Sequence, residues 1–258
     1  MFETLETTVD GAVGRIWLNR PDKLNPLSTQ TLQELARAAA WFNEQPEIRA
    51  VVIGGRGRCF SAGADLASFT GSSVEAMRDA ADAGRLMADA IEDMQAITVA
   101  RVQGWCVGGG LVLAAACDLR EATDSCRFSI PEVALGIPLA WGGIPRLVRE
   151  IGPALCKELV ITCRPFDAAE ARTAGFLNRV VTEDELDPTV DALVAQVIEK
   201  PAFPVWATKR HVDAVTSQMV GTDRSWGDAD GLVSASVDPE CVAARDAYVE
   251  KQLGGKQQ

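Results

Sequence analysis

Two short glycine-rich junctions limit what this chain can fold into more than any other feature. They are Cys59-Phe60-Ser61-Ala62-Gly63-Ala64-Asp65-Leu66 and Gly104-Trp105-Cys106-Val107-Gly108-Gly109-Gly110-Leu111. Each follows an apolar, strand-like run, Ala50 to Gly54 and then Thr98 to Val102. The second opens directly into a helical stretch, Leu111 to Cys117. Glycines at a strand-to-helix turn leave backbone N–H groups bare and let another molecule approach the main chain closely. Two such turns facing one another can hold a single oxygen between two amides, the geometry that stabilises an enolate or other oxyanion.

Around the junctions, strand and helix signals alternate. Leu5 to Val9 and Val13 to Leu18 flank Asp10-Gly11 and predict a hairpin. Ser28 caps a helix whose Leu32, Leu35, Ala39 and Phe42 share one face. Gly71-Ser72-Ser73 opens a second helix running to about Met94. Short strands follow near Leu119 to Ala122 and Arg127 to Ser129, then a structured Pro- and Gly-rich loop from Pro131 to Gly143, with helix again from Ile144. Asp167-Ala168-Ala169-Glu170 has the form of a capping box, Gly175 ends that helix, and Asn178 to Val181 supplies a further strand. Beyond about Asp187 only helical patterns remain, broken at Pro201 and Pro204, and Asp238-Pro239 starts the last helix. The expected architecture is a layered α/β core over residues 1–198 with a helical region over residues 199–258.

Composition narrows the partners. The 258 residues are 47% hydrophobic and 24% charged, the mix of an ordinary globular protein with one large domain or a domain and an appendage. A formal net charge of −11 argues against nucleic acid, because phosphate binding needs a basic face. A local cluster, Arg20, Lys23, Arg56 and Arg58, is still able to receive an anionic ligand. No uncharged apolar run approaches the ~20 residues that cross a bilayer, so no membrane is expected as a partner. Met1-Phe2-Glu3-Thr4 lacks the basic and apolar regions of a secretory signal. The seven cysteines form no CxxC pair and sit mostly among apolar neighbours, which reads as reduced, buried thiols in the cytoplasm. No cluster has metal-ligand spacing, and no metal is expected.

Four motifs, in order and at matching spacing, resemble the crotonase (enoyl-CoA hydratase/isomerase) superfamily. They are Asn19-Arg20-Pro21, Phe60 to Leu66, Gly108-Gly109-Gly110 with Cys117-Asp118 after it, and Phe128-Ser129-Ile130-Pro131-Glu132 leading to Gly142-Gly143. The resemblance spans nearly the whole chain. It implies a crotonase-like spiral of repeated ββα units with a helical C-terminal trimerisation region, assembled as a homotrimer or dimer of trimers. It implies a coenzyme A thioester as substrate and no separate cofactor. The amides of Ala64 and Gly109 then fall where the family grips the thioester oxygen, and losing one such donor typically costs ~3 kcal/mol of transition-state stabilisation. Gly109 also sits at the positive end of the helix that follows.

The family's hydratases use two glutamates. One matches Glu132, which precedes the apolar stretch 133–140, where burial would raise its pKa and suit it to shuttle a proton. Val112 stands where the other is expected, and Ala140 stands where some relatives carry an aspartate. One base that removes and returns a proton suffices for a 1,3-shift, whereas hydration needs an oriented water. Isomerisation therefore fits better than hydration, within a lyase or isomerase of fatty acid metabolism. Glu75 is the candidate for a replacement carboxylate. At the coenzyme end the resemblance assigns Arg20 and Lys23 to the phosphates and Ala62, Asp65 and Leu66 to the adenine and pantetheine path. Tyr248 and Lys251 match a tail that reaches a neighbouring subunit's nucleotide. Trp105, Trp141 and the loop 68–80 are expected to shape the acyl pocket.

Plainer readings exist for each motif. The triple glycine alone suits close helix–strand packing, Glu132 an ordinary helix-start carboxylate, Lys23 an exposed lysine and Tyr248 a packing residue. Asp118 reads as structural, and His211, the only histidine, as a surface residue on an exposed helix with Lys209, Arg210 and Asp213. Cys59 breaks any GxSxG elbow around Ser61, and Gly108 to Leu113 lacks the third glycine of GxGxxG. The alternatives to an enzyme of this type are a non-catalytic acyl-CoA-binding protein, a CoA-thioester hydrolase or decarboxylase of the same superfamily, or an interaction scaffold with a vestigial pocket.

Overall fold

The computed structural model describes residues 2–65 and 73–254. Leu5–Asp10 (β1) and Val13–Leu18 (β2) form the expected antiparallel hairpin, in register from Leu5 opposite Leu18 to Asp10 opposite Val13. The later strands are Ala50–Gly55 (β3), Ile97–Val102 (β4), Trp105–Val107 (β5), Leu119–Thr123 (β6), Arg127–Ser129 (β7), Phe166–Asp167 (β8) and Arg179–Val181 (β9). The helices are Thr29–Asn43 (α1), Val74–Glu92 (α2), Gly109–Ala115 (α3), Gly143–Thr162 (α4), Ala168–Thr173 (α5), Glu183–Ile198 (α6), Ala202–Met219 (α7), Asp228–Val237 (α8) and Pro239–Gly254 (α9). Among the described residues the strands make two sheets, one ordered β1-β2-β3-β4-β6-β9 and one ordered β5-β7-β8.

The order of elements repeats. β4 joins the large sheet, β5 the small one, and α3 follows; β6, β7 and α4 repeat the pattern. β3 is likewise followed by a parallel bridge from Ser61 to Cys106 of β5, and then by α2. The chain is therefore a spiral of ββα turns in an α/β protein, followed by the helices α6 to α9. Alternation along each strand divides the core between the two faces of the large sheet. Val51 and Ile53 join the core cluster that also holds the buried residues of α1, α2 and α3, whereas Ala50, Val52 and Val99 cluster with Leu186, Val190 and Val194 of α6.

α3 is entirely buried and held at its C-terminal end by charge. The Arg120 guanidinium donates to the Cys117 carbonyl at 2.7 Å and to Glu150 at 2.6 Å, supplying a cation where the helix dipole is negative. Asp118 accepts from the Thr98 amide at 2.7 Å, the Thr98 hydroxyl at 2.9 Å and Lys209 Nζ at 2.8 Å. Asp118 is thus an anchor, as expected. Lys209 is a correction: it is buried at 5% exposure, while His211 on the same helix is exposed.

Other details also depart from the sequence reading. The second junction contains a strand of its own, β5, before its helix. At Asp167 only half a capping box forms, because Asp167 accepts from the Glu170 amide while the Glu170 carboxylate turns to Arg164. The reciprocal box lies at Thr182 and Glu185 instead. Pro201 precedes α7, but Pro204 sits inside its first turn, where no intrahelical N–H is needed, and breaks nothing. Five cysteines are buried as free thiols, whereas Cys163 and Cys241 are half-buried.

Lys209→Met removes the cation that Asp118 faces below the surface. The expected cost in denaturant unfolding is about 2–3 kcal/mol, since one partner of the pair stays behind without its counter-charge. Lys157→Met, on an exposed position, is expected to shift stability by less than about 0.5 kcal/mol.

Candidate active site

The first junction is fixed by a residue with no obvious signal beyond its place before a proline. Asn25, buried and at φ 53, donates from Nδ2 to the carbonyls of Arg56 at 2.9 Å and Cys59 at 3.0 Å. Its own carbonyl accepts from Ser61 Oγ at 2.8 Å, and Ser61 Oγ accepts from the Gly63 amide at 3.1 Å. No local pattern marks Asn25 and Ser61 as organisers, because side-chain-to-carbonyl bonds across ~30 residues leave no periodic trace in a sequence.

The two junctions meet. Val107 donates its amide to the Ser61 carbonyl at 3.0 Å, and Gly108 donates to the Ser129 carbonyl at 2.9 Å. Gly63 has φ +88, and a Cβ there would lie 2.7 Å from the Val107 carbonyl oxygen and 3.6 Å from the Gly109 nitrogen. Gly108 has φ +49, and a Cβ there would overlap the Glu132 carboxylate. Both positions need glycine on two counts, backbone conformation and space. Among the described residues, neither the Ala64 amide nor the Gly109 amide has a hydrogen-bond partner.

Ala64, Gly109 and Glu132 line one cavity of about 30 Å³, together with Val112, Ile137, Pro138, Leu139, Ala140, Trp141 and Leu232. Glu132 is the only ionisable side chain among these lining residues. It precedes a short 3₁₀ helix, Val133–Leu135, and its Oε2 is buried without a hydrogen-bond partner among the described residues. Burial raises its pKa to about 7 against an opposing hydrogen bond from its own backbone amide. Val112 and Ala140 place only hydrocarbon at the positions where the resemblance leads one to expect a second carboxylate.

The remaining predicted residues divide into groups. Arg20 and Asp65 form an ion pair at 3.1 Å, and the Ala62 amide donates to the Leu24 carbonyl at 2.8 Å, so the segment after the hairpin is joined to the first junction. Lys23 is exposed on that segment, while Arg56 is paired with Glu6. Leu66 lies outside the described residues, as do 68–72 of the loop 68–80. Tyr248, half-buried, and Lys251, exposed, lie on α9 and do not line the cavity. Glu75 is exposed on the first turn of α2 and does not line it either. Trp105 is a correction: it is 48% exposed and outside the cavity wall, whereas Trp141 is part of it.

A spiral of ββα turns in which two glycine junctions meet beside a buried glutamate defines a protein of the crotonase fold. An enoyl-CoA hydratase from Mycobacterium avium subsp. paratuberculosis superimposes with a TM-score of 0.86 at 26% identity, covering 94% of this chain and 98% of that one. A probable enoyl-CoA hydratase of Mycobacterium bovis is 39% identical over 82% of both proteins. A crotonyl-CoA hydratase of Syntrophomonas wolfei is 34% identical over 97% of this chain and 96% of its own length. The model of the enoyl-CoA hydratase/isomerase family matches residues 8–254, and the chain belongs to that family.

Proton linkage at Glu132 has a definite sign. The unfolded chain releases this proton near the ordinary 4.5 and the folded chain near 7, so stability falls as pH rises between those values. Glu132→Gln removes that loss. The variant is expected to exceed the parent by about 3 kcal/mol above pH 7 and to match it below pH 4.5, measured by urea unfolding across that range. A constant difference at all pH values would contradict the raised pKa.

Proposed function

We propose that this protein is an acyl-CoA enzyme that moves a double bond by way of a thioester enolate. The carbonyl oxygen of the thioester lies between the Ala64 and Gly109 amides, which carry its developing negative charge. Glu132 removes the proton next to that carbonyl from a 3-enoyl-CoA. The electron pair spreads into a dienolate, and the same carboxyl returns the proton at the far end of the conjugated system, giving the 2-enoyl-CoA. A group that titrates near neutral pH is suited to both halves of this transfer.

The observation that carries the reading is the composition of the cavity wall: one buried carboxylate with no counter-charge, two amides without partners among the described residues, and otherwise mostly apolar side chains. Val112, fully buried, has no atom with which to hold or activate a water. The relatives named above as hydratases motivate hydration as the rival chemistry. Val112 also favours a second reading, an acyl-CoA-binding protein without turnover. Arg20, Lys23, Ala62 and Asp65 are assigned to the coenzyme end of the site. Tyr248 and Lys251 are assigned to a neighbouring subunit's nucleotide in a trimer. Support for assembly comes from the apolar side chains exposed along α7, Phe203, Trp206, Val212, Val215 and Met219.

Parallel assays with 3-enoyl-CoA and 2-enoyl-CoA decide among these. Isomerisation is expected to outpace hydration, and Glu132→Gln is expected to lower it by about 10²–10⁴-fold. Val112→Glu is expected to raise hydration by at least about tenfold, since it restores a group able to orient water. Fast hydration that survives Glu132→Gln refutes the role given to Glu132. Calorimetric binding of acyl-CoA without turnover of either substrate establishes the binder instead.

A further inference from the structure

We infer that Trp141 is the end stop of the acyl site and restricts it to short, apolar acyl groups; the inference rests on the CoA-thioester reading above. Trp141 is 5% exposed and sits at φ 62, a left-handed backbone conformation that a bulky aromatic residue seldom adopts. Such a conformation persists only where its surroundings over-determine it. Here they do. The next amide, of Gly142, donates to Asp228 Oδ2 of α8 at 2.8 Å. Arg146 Nη1 donates to the carbonyls of both Trp141 and Gly142 at 3.3 Å. Arg146 itself is 1% exposed and is held by Asp89 at 2.9 Å and by Glu92, both on α2.

The indole held by this corner fills a slot between two helices. A Cβ at Gly84 of α2, or at Gly109 of α3, would overlap the ring. Gly109 is also the residue whose amide is proposed to hold the thioester oxygen. The ring therefore adjoins the reacting end of the acyl group, on the wall that Glu132 and Val112 share. The space left beside it, about 30 Å³, is on the scale of one or two waters. Leu139, Ile137 and Leu232 complete the wall with hydrocarbon, so an acyl group of a few carbons meets apolar surface and then the indole. A longer chain needs the volume that the ring occupies.

The test is calorimetric binding of butyryl-, hexanoyl-, octanoyl- and dodecanoyl-CoA to the 258-residue chain, which requires no turnover. The parent is expected to bind butyryl-CoA best and to lose about tenfold or more in affinity by octanoyl-CoA, the scale of discrimination that apolar pockets achieve. Trp141→Ala is expected to shift affinity by about tenfold or more toward octanoyl- and dodecanoyl-CoA relative to butyryl-CoA, flattening the chain-length profile. Trp141→Leu, which leaves less void, is expected to give an intermediate profile and carries the test if the alanine variant does not fold. Identical chain-length profiles for the parent and whichever variants fold overturn the end stop alone. No binding of any of the four thioesters to the parent overturns the CoA-thioester reading, and the end stop with it.

Discussion

The site depends on two main-chain segments lying closer together than side chains would permit. Gly63 faces the Val107 carbonyl and the Gly109 nitrogen, and Gly108 faces the Glu132 carboxylate. Because these contacts involve backbone, the spacing of the proposed donors is set by the path of the chain and does not fluctuate with rotamers. Preorganisation of this kind matters where charge develops during a reaction, since fixed dipoles need no rearrangement at that moment. The carboxylate shares in it. With a backbone on one side and hydrocarbon on most others, it is held where desolvation dominates its ionisation.

Buried polar residues away from the site keep those segments in place. Asn25 gathers carbonyls from 56, 59 and 60 around the first turn. Arg120 and the Lys209–Asp118 pair hold the far end of α3, at whose start the second turn lies. Such groups contribute little net stability when compared with well-packed hydrocarbon, but a partly satisfied set is costly. An arrangement that separated them from these partners would leave buried polar groups unsatisfied, at a cost of about 1–3 kcal/mol each.

Much of this was legible in the sequence, where local chemistry decides the outcome. The hairpin about Asp10-Gly11, the Ser28 cap and the Asp238-Pro239 helix start all rest on interactions within a few residues, and all are present. The grouping of Ala64, Gly109 and Glu132 came from the resemblance of their motifs to a family, and the three residues line one cavity. What escaped was set by distant partners. Nothing within α7 indicates that Lys209 turns inward, because its reason is Asp118, 91 residues away. Glu170 leaves its capping position for Arg164, a competitor that a local pattern does not weigh. β5 and β8 are so short that their pairing with β7, and not their own composition, makes them strands. Trp105 and Trp141 look alike as large aromatics beside glycine, and only the fold exposes one and buries the other.

The slot formed by Gly84, Gly109 and Trp141 has a consequence for how this protein can diversify. A side chain added at either glycine collides with the ring, while a smaller residue at 141 leaves a void that such side chains could later fill. Mutational paths across these three positions therefore have a direction. A side chain at either glycine has room only once the ring is gone, so the order in which descendants acquire changes here is constrained by sterics before selection acts on activity.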